Sequence, residues 1–309
     1  MRLSNWQAPG DIVMLTAAIR DLHACYPGEF ETFVETNAME LWKHNPLVAR
    51  RRKPSKDALL LECKYPLIHG ANILPYHFIH GFIDFLNQAL DLKVYPTRFG
   101  GDVYVDEDER ARFLGLRKLA SGRSIWLLNA GGKTDFTTKW WLPDRYQSVV
   151  EQLRDEIFFV QVGAREHVHP ELEGVYSLVG KTSLRDLVSL VSVCDGILCP
   201  VTMLMHLAAA VPTRTGVLRP CVVIAGGREP AHWEAYPGHQ FLHTIGALPC
   251  CARGGCWRAK RSVLDVLPGE NESENSICEA SEQGWPECMR MISVNAVCRA
   301  IQHYTKRGY

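Results

Sequence analysis

The sequence predicts an α/β protein of two domains built on parallel sheets, and three observations carry that reading. The chain has 309 residues, more than one hydrophobic core usually serves, so two domains of about 100 to 200 residues are expected. Short apolar runs alternate with segments of helical period along most of its length, the pattern of strands joined by crossover helices. The alternation is interrupted once, by a turn-rich and charged stretch from Phe99 through Asp106-Glu-Asp-Glu-Arg110, and then restarts. That interruption places a boundary near residues 115–123. The expected divisions are 1–118, 119–249, a cysteine-rich segment 250–290 and a closing helix 291–309.

The first series opens with Asp11 to His23, where Ile12, Leu15, Ile19 and Leu22 recur at helical spacing behind an aspartate in a capping position. Glu31–Thr36 and Leu59–Cys63 read as strands. The second series is clearer: strand Ser124–Asn129, helix Pro143–Arg154, strand Ile157–Val162, helix Ser183–Val193, strand Gly196–Cys199, helix Met203–Ala210 and strand Cys221–Ala225. Such a series implies a parallel sheet that binds ligands at the C-terminal ends of its strands. From Cys250 the pattern yields to turns and cysteines, then resumes as a helix over Met289–Tyr304. There is no internal repeat and no low-complexity tract.

Hydrophobic residues make up 47% of the chain and charged residues 22%, the balance of a globular protein with a packed core. The 34 basic and 34 acidic side chains cancel, which argues against a global field for nucleic acid or an anionic membrane. No run of about 18 apolar residues occurs, and MRLSNWQAPGDIVML lacks the pattern of a signal peptide. A cytoplasmic protein is expected, with no transmembrane segment. The eleven cysteines are then reduced thiols or metal ligands rather than a disulfide framework. The sequon Asn271-Glu272-Ser273 is expected to go unmodified.

The candidate chemistry lies in turns. Strand Ser124–Asn129 runs into Ala130-Gly131-Gly132-Lys133-Thr134-Asp135-Phe136-Thr137-Thr138-Lys139. Glycines let backbone N–H groups approach an anion, hydroxyls add donors and a lysine adds charge, a set that suits a diphosphate. A solvated loop has the same residue types. Gly180-Lys181-Thr182 ends like a phosphate-binding P-loop, but Val175 stands where that motif needs glycine; Thr182 or Ser183 as a helix cap is the plainer reading. Val201-Thr202-Met203 leaves a buried strand and enters a helix, so Thr202 should face the same crevice as the diphosphate turn. His206, one turn on, reads either as a ligand contact or, more commonly for a helix histidine among apolar neighbours, as a structural residue. Gly10-Asp11 occupies the corresponding turn of the first domain, with Asp11 either an N-cap or a general base at the interdomain cleft. The five cysteines Cys250, Cys251, Cys256, Cys278 and Cys288 can supply the four thiolates of a tetrahedral zinc or iron site; buried free cysteines are the alternative.

Together these residues resemble the heptosyltransferase family, glycosyltransferase family nine, over most of the chain. PGDIVMLTAAIRDLH looks like its opening Gly-Asp turn, NAGGKTDFTTKWWLP like its donor-phosphate segment, and LVGKTSLRDLVSLV like the segment along the nucleotide. VTMLMHLAAA resembles a block that normally reads Asp-Thr-Gly-x-x-His: Thr202 and His206 match, while Val201 and Met203 replace the aspartate and glycine. The resemblance implies a GT-B fold of two facing Rossmann-like domains, with Asp11 as catalytic base. The donor side comprises Gly10, Asn129, Gly131, Gly132, Thr138, Lys139, Gly163, Lys181, Thr182, Val201, Thr202, Met203 and His206. CCARGGCW and the later cysteines look like the iron-binding finger of bacterial autotransporter heptosyltransferases. This implies a structural iron or zinc held by Cys250 or Cys251, Cys256, Cys278 and Cys288, with no catalytic metal. The expected activity is inverting transfer of a sugar, heptose by resemblance, from a nucleoside-diphosphate donor such as ADP-heptose to a hydroxyl of a glycan or protein, with a homo-oligomer as an option. Rival readings are a nucleotide-sugar epimerase and a non-enzymatic finger that binds a partner through Arg253, Arg258, Lys260 and Arg261.

Overall fold

The computed structural model describes residues 1–49, 54–64, 70, 73–213, 215–262 and 277–305. The sequon at Asn271 lies outside the described residues. The chain runs β1 (Arg2–Asn5), α1 (Pro9–Cys25), β2 (Phe33–Thr36), β3 (Leu60–Glu62) and α2 (His80–Leu90), then α3 (Glu107–Ala111) and α4 (Leu116–Ala120). It continues through β4 (Ser124–Leu128), α5 (Pro143–Leu153), β5 (Ile157–Gln161), β6 (Tyr176–Ser177), α6 (Leu184–Val193), β7 (Gly196–Pro200), α7 (Met203–Ala210), β8 (Cys221–Gly226), α8 (Ala231–Glu234) and β9 (His239–His243). A hairpin of β10 (Ser281–Glu282) and β11 (Trp285–Pro286) precedes α9 (Glu287–Arg290) and α10 (Val294–Thr305).

Two parallel sheets result, with strand orders β2-β1-β3 and β6-β5-β4-β7-β8-β9. Every residue of β7 and β8 is buried, as central strands covered on both faces must be. Side chains of β4 alternate between two apolar clusters. Ile125 and Leu127 join a core that continues through α1, α2 and α7 to Leu3 of the first sheet, whereas Trp126 and Leu128 pack with Trp141, Tyr146 and the α10 residues Val297, Ile301 and Tyr304.

Several expectations need correcting. Helix α1 begins at Pro9, which occupies the N1 or N2 position where a missing N–H costs nothing, and its cap is Ala8; Asp11 is inside the first turn rather than at the cap. The charged stretch near 106–110 is a helix, because Asp106 and Glu109 form a reciprocal capping box. The expected boundary region holds α4, which ends where Ser121 takes φ 50°. The closing helix is broken around Met291–Ser293 into α9 and α10, and the Ser293 hydroxyl accepts from Ala296 N–H at 3.2 Å to start the second piece. Strands β1, β6 and β9 and helix α2 had no expectation at all.

A buried ion pair ties the two halves. Arg185 of α6 donates from Nε to Glu109 Oε1 at 2.7 Å, and Lys43 donates to the same oxygen at 2.6 Å. Glu109 is 1% exposed and Arg185 6%. Although burial opposes ionisation, the Arg185 and Lys43 hydrogen bonds hold the Glu109 carboxyl well below its usual range.

Candidate active site

The N-terminus of α1 lies against the first turns of α7. A methyl group at Gly10 would stand 3.0 Å from His206 Cδ2 and 3.6 Å from Met203 Cα, so glycine sets how closely the two helices meet. Asp11 follows at this junction. Burial pushes its carboxyl up to about 6, against the opposing pull of Lys139, the backbone N–H groups of Ala8 and Asp11, and Lys133. A carboxylate so poised changes protonation near neutrality, as a general base requires.

Lys139 ends a 3-10 segment, Thr134–Lys139, into which the glycine-rich turn folds. Its ammonium is 2.7 Å from Glu229 Oε1 and 3.5 Å from the Val201 carbonyl. Arg228 also pairs with Glu229 Oε1. Around the Phe136 ring three cations gather, Arg228 at 5.1 Å, Lys139 at 5.3 Å and Lys260 at 5.9 Å from its centroid. Positive charge is thus concentrated at the C-terminal ends of β4 and β8, where a parallel sheet binds phosphates. Arg228 and Glu229 were not foreseen as site residues, and Lys260 was expected only in the rival finger reading; the signal was Gly226-Gly227 ending an apolar strand immediately before Arg228-Glu229.

The other expected residues divide into those turned to this centre and those engaged elsewhere. A Cβ at Gly131, which has φ 83°, would lie 2.1 Å from the Val168 carbonyl, so this position requires glycine. The Gly132 amide donates to that carbonyl at 2.9 Å and is not available to a phosphate as expected. Thr138 is buried, its hydroxyl donating to the carbonyls of Ala259 at 3.1 Å and Lys260 at 3.0 Å; it anchors the loop that carries Lys260. Asn129 bonds the Val162 carbonyl, and Gly163 makes room for the His169 ring. Lys181 donates to the Ser177 carbonyl at 3.0 Å on the surface. Ser183 rather than Thr182 caps α6, in a capping box with Asp186.

His206 is 6% exposed. Its Nδ1 is 2.6 Å from the Tyr236 hydroxyl, which donates to Met14 Sδ, and Phe78 stacks on the ring at 5.4 Å. Burial first, then His77, Lys139 and His239, bring its pKa down to about 3, so the imidazole is neutral. This geometry is that of the structural alternative: His206 fixes the junction of α1, α7 and the 233–236 segment. Val201 is buried beside Thr202, the N-cap of α7.

Two of the five finger cysteines, Cys251 and Cys288, lie beside Gly226 and Gly227. Cβ atoms there would approach Cys288 Sγ at 3.3 Å and Cys251 Sγ at 3.1 Å. Cys251 is wholly buried, with its thiol directed to the Leu248 and Thr244 carbonyls at 3.4 and 3.6 Å. Cys250, Cys256 and Cys288 each feel Cys278, and Cys250 and Cys288 also feel Cys251, so all five are close neighbours. Burial first, and then the neighbouring thiols, push Cys256 up to about 12 and Cys288 to about 11. Thiols gathered in this way suit a divalent soft cation, which would ionise them. Among the described residues, the set whose ligand atoms all lie within 4.8 Å is His44, Asp106 and Glu109, so the sulfurs stand looser than the about 3.8 Å separation of a closed tetrahedral zinc site.

The model of glycosyltransferase family 9 (heptosyltransferase) matches residues 73–236, more than half of the chain. No curated protein sequence matches. Among solved structures, a family 9 glycosyltransferase from Veillonella parvula DSM 2008 aligns with TM-score 0.62 at 13% identity, covering 98% of this chain and 96% of that one. The ADP-heptose lipopolysaccharide heptosyltransferase II of E. coli aligns with TM-score 0.61 at 15% identity over 98% of both chains. The iron-containing dodecameric glycosyltransferase TibC of enterotoxigenic E. coli H10407 aligns with TM-score 0.58 at 14% identity, covering 99% of this chain and 76% of that one. The paired parallel sheets are thus the GT-B arrangement expected, and the epimerase and non-enzymatic finger readings are set aside. Among the described residues no helix is long and apolar enough to cross a membrane. The chain belongs to glycosyltransferase family 9, the heptosyltransferase family.

Proposed function

We propose that the protein transfers heptose from ADP-heptose to a hydroxyl of a glycan or protein, with inversion at the anomeric carbon. The observation that supports this best is the placement of Lys139, Arg228 and Lys260 around Phe136, with the Asp11 carboxyl close enough to feel Lys139. The cations and the Gly131 turn would hold the diphosphate and offset charge as it departs, the kind of preorganised electrostatics that contributes most to catalysis. Asp11, ionised above about pH 6, would take the proton of the acceptor hydroxyl as it attacks the face opposite the diphosphate. In this reading residues 1–118 present the acceptor and 119–249 hold the donor.

Cys250, Cys256, Cys278 and Cys288 would hold one iron or zinc, leaving no open position for substrate and making the site structural. In this reading Cys250 rather than Cys251 completes the set, because the Cys251 thiol already faces two carbonyls, against one for Cys278.

A thermal-shift screen of nucleotides and nucleotide sugars, followed by measurement of ADP release, tests the donor. ADP-heptose at a hundred times its Kd should stabilise by about 2.7 kcal/mol and yield ADP with turnover. Stabilisation by a different nucleotide sugar, with none by ADP-heptose, contradicts the donor assignment.

A further inference from the structure

Glu229 and Glu234 have no counterpart among the residues expected from the sequence. They are 3% and 5% exposed, and buried carboxyl groups are stable only when paired or hydrogen-bonded. Glu229 Oε1 satisfies that rule through Lys139 and Arg228. Its Oε2 has no hydrogen-bond partner. Glu234 Oε2 has none either, its nearest base being His206 Nε2 at 3.7 Å. A third orphan is Thr202 Oγ1. Threonine at an N-cap usually accepts from the first helical turn, but this one makes no cap bond.

The three groups belong to one place. Strands β7 and β8 are adjacent and parallel, with Pro200 opposite Ile224, so Thr202 and Glu229 leave neighbouring strand ends. Lys139 Nζ links them, at 2.7 Å from Glu229 Oε1 and 3.5 Å from the Val201 carbonyl. Glu234 feels the charges of Glu229, Lys139 and Asp11, and burial with the Glu229 charge holds it toward its protonated form. A carboxylate paired to two cations, a carboxyl biased toward its protonated form and a hydroxyl therefore stand together, each with an oxygen that has no hydrogen-bond partner.

We propose that Glu229, Glu234 and Thr202 form the subsite for the donor's sugar ring and bind its hydroxyls; this rests on the glycosyltransferase reading above. A polyol both donates and accepts, and this trio supplies acceptor and donor atoms together. The Glu229 carboxylate would repel a phosphate, which leaves the anion to Lys139, Arg228 and Lys260. Val201 and Met203 bring no hydrogen-bonding side chain to the end of β7, so the polar contacts to the ring come from the segment after β8.

Calorimetric titration of ADP and of ADP-heptose into the full chain tests the subsite, using wild type, Glu229→Ala and Glu234→Ala. Wild type should bind ADP-heptose at least about tenfold more tightly than ADP, the worth of one or two hydrogen bonds. Each variant should narrow that margin to about twofold. In Glu229→Ala, ADP itself should bind as well as before or more tightly, because Lys139 and Arg228 lose a competing carboxylate; this also shows that the variant is folded. An unchanged margin in both variants, or equal weakening of ADP and ADP-heptose, overturns the subsite. A wild-type chain that binds ADP but gains nothing from the heptose overturns it while leaving the nucleotide site standing. Binding of neither ligand overturns the donor reading and the subsite together.

Discussion

Lys139 Nζ lies 2.7 Å from Glu229 Oε1, so the lysine at the end of the donor turn is held by a buried carboxylate from the strand two places along the sheet. The pair keeps two charges compensated in the absence of a ligand. Lys139→Met removes the strongest cation of the proposed diphosphate site. Affinity for ADP should fall by about 10- to 100-fold, the range of a charge-assisted hydrogen bond, as read by titration calorimetry. Unaltered affinity would remove Lys139 from the donor site.

The Asp11 carboxyl has contrary effects on activity and stability. Its pKa in the folded protein, about 6, lies above the unfolded 3.8, so the folded state binds the proton more tightly and stability declines as pH rises from about 4 to about 6. Asp11→Asn should therefore raise Tm at pH 8 and change it little at pH 4, as measured by differential scanning calorimetry. For wild type, kcat/KM should rise about tenfold per unit below pH 6 and level off above it.

The cysteine geometry separates Cys251 from its neighbour. Cys256→Ser should lose about one iron or zinc per chain and unfold at lower temperature, since metal binding contributes folding energy. Cys251→Ser should keep the metal, because that thiol faces carbonyls. Elemental analysis with thermal melts decides both; metal-free wild type that is fully stable would refute the site.

The Glu109–Arg185 pair joins the halves of the molecule under cover from water. Arg185→Met leaves Glu109 with Lys43, His44 and the Asp106 N–H, and breaking a buried pair from one side costs about 3 kcal/mol. Urea unfolding should show that loss at pH 7. It should shrink at acid pH as Glu109 takes up a proton.

The central strands of the second sheet were legible because burial on both faces requires continuous apolar runs such as Cys221–Ala225. β1 was not, since Arg2-Leu-Ser-Asn5 has only two buried positions to distinguish it from loop. The donor turn and Asp11 could be located from glycine, charge and position in the alternation. Arg228, Glu229 and Glu234 could not, because their roles arise where the end of β8 meets a lysine far away in sequence. The same limit applied to Gly132 and Thr138, whose residue types suit phosphate but whose hydrogen bonds are taken by Val168 and by the loop at 259–260.

In the proposed reaction Asp11 acts on the acceptor across the junction from a donor held by the Lys139 turn. The most direct test compares Asp11→Asn with wild type in two measurements on the same preparation: ADP-heptose affinity and the rate of transfer. Affinity should stay within about threefold while kcat falls by about 10²- to 10⁴-fold, the usual contribution of a general base. Full kcat in Asp11→Asn would contradict the account, and so would a loss confined to donor binding.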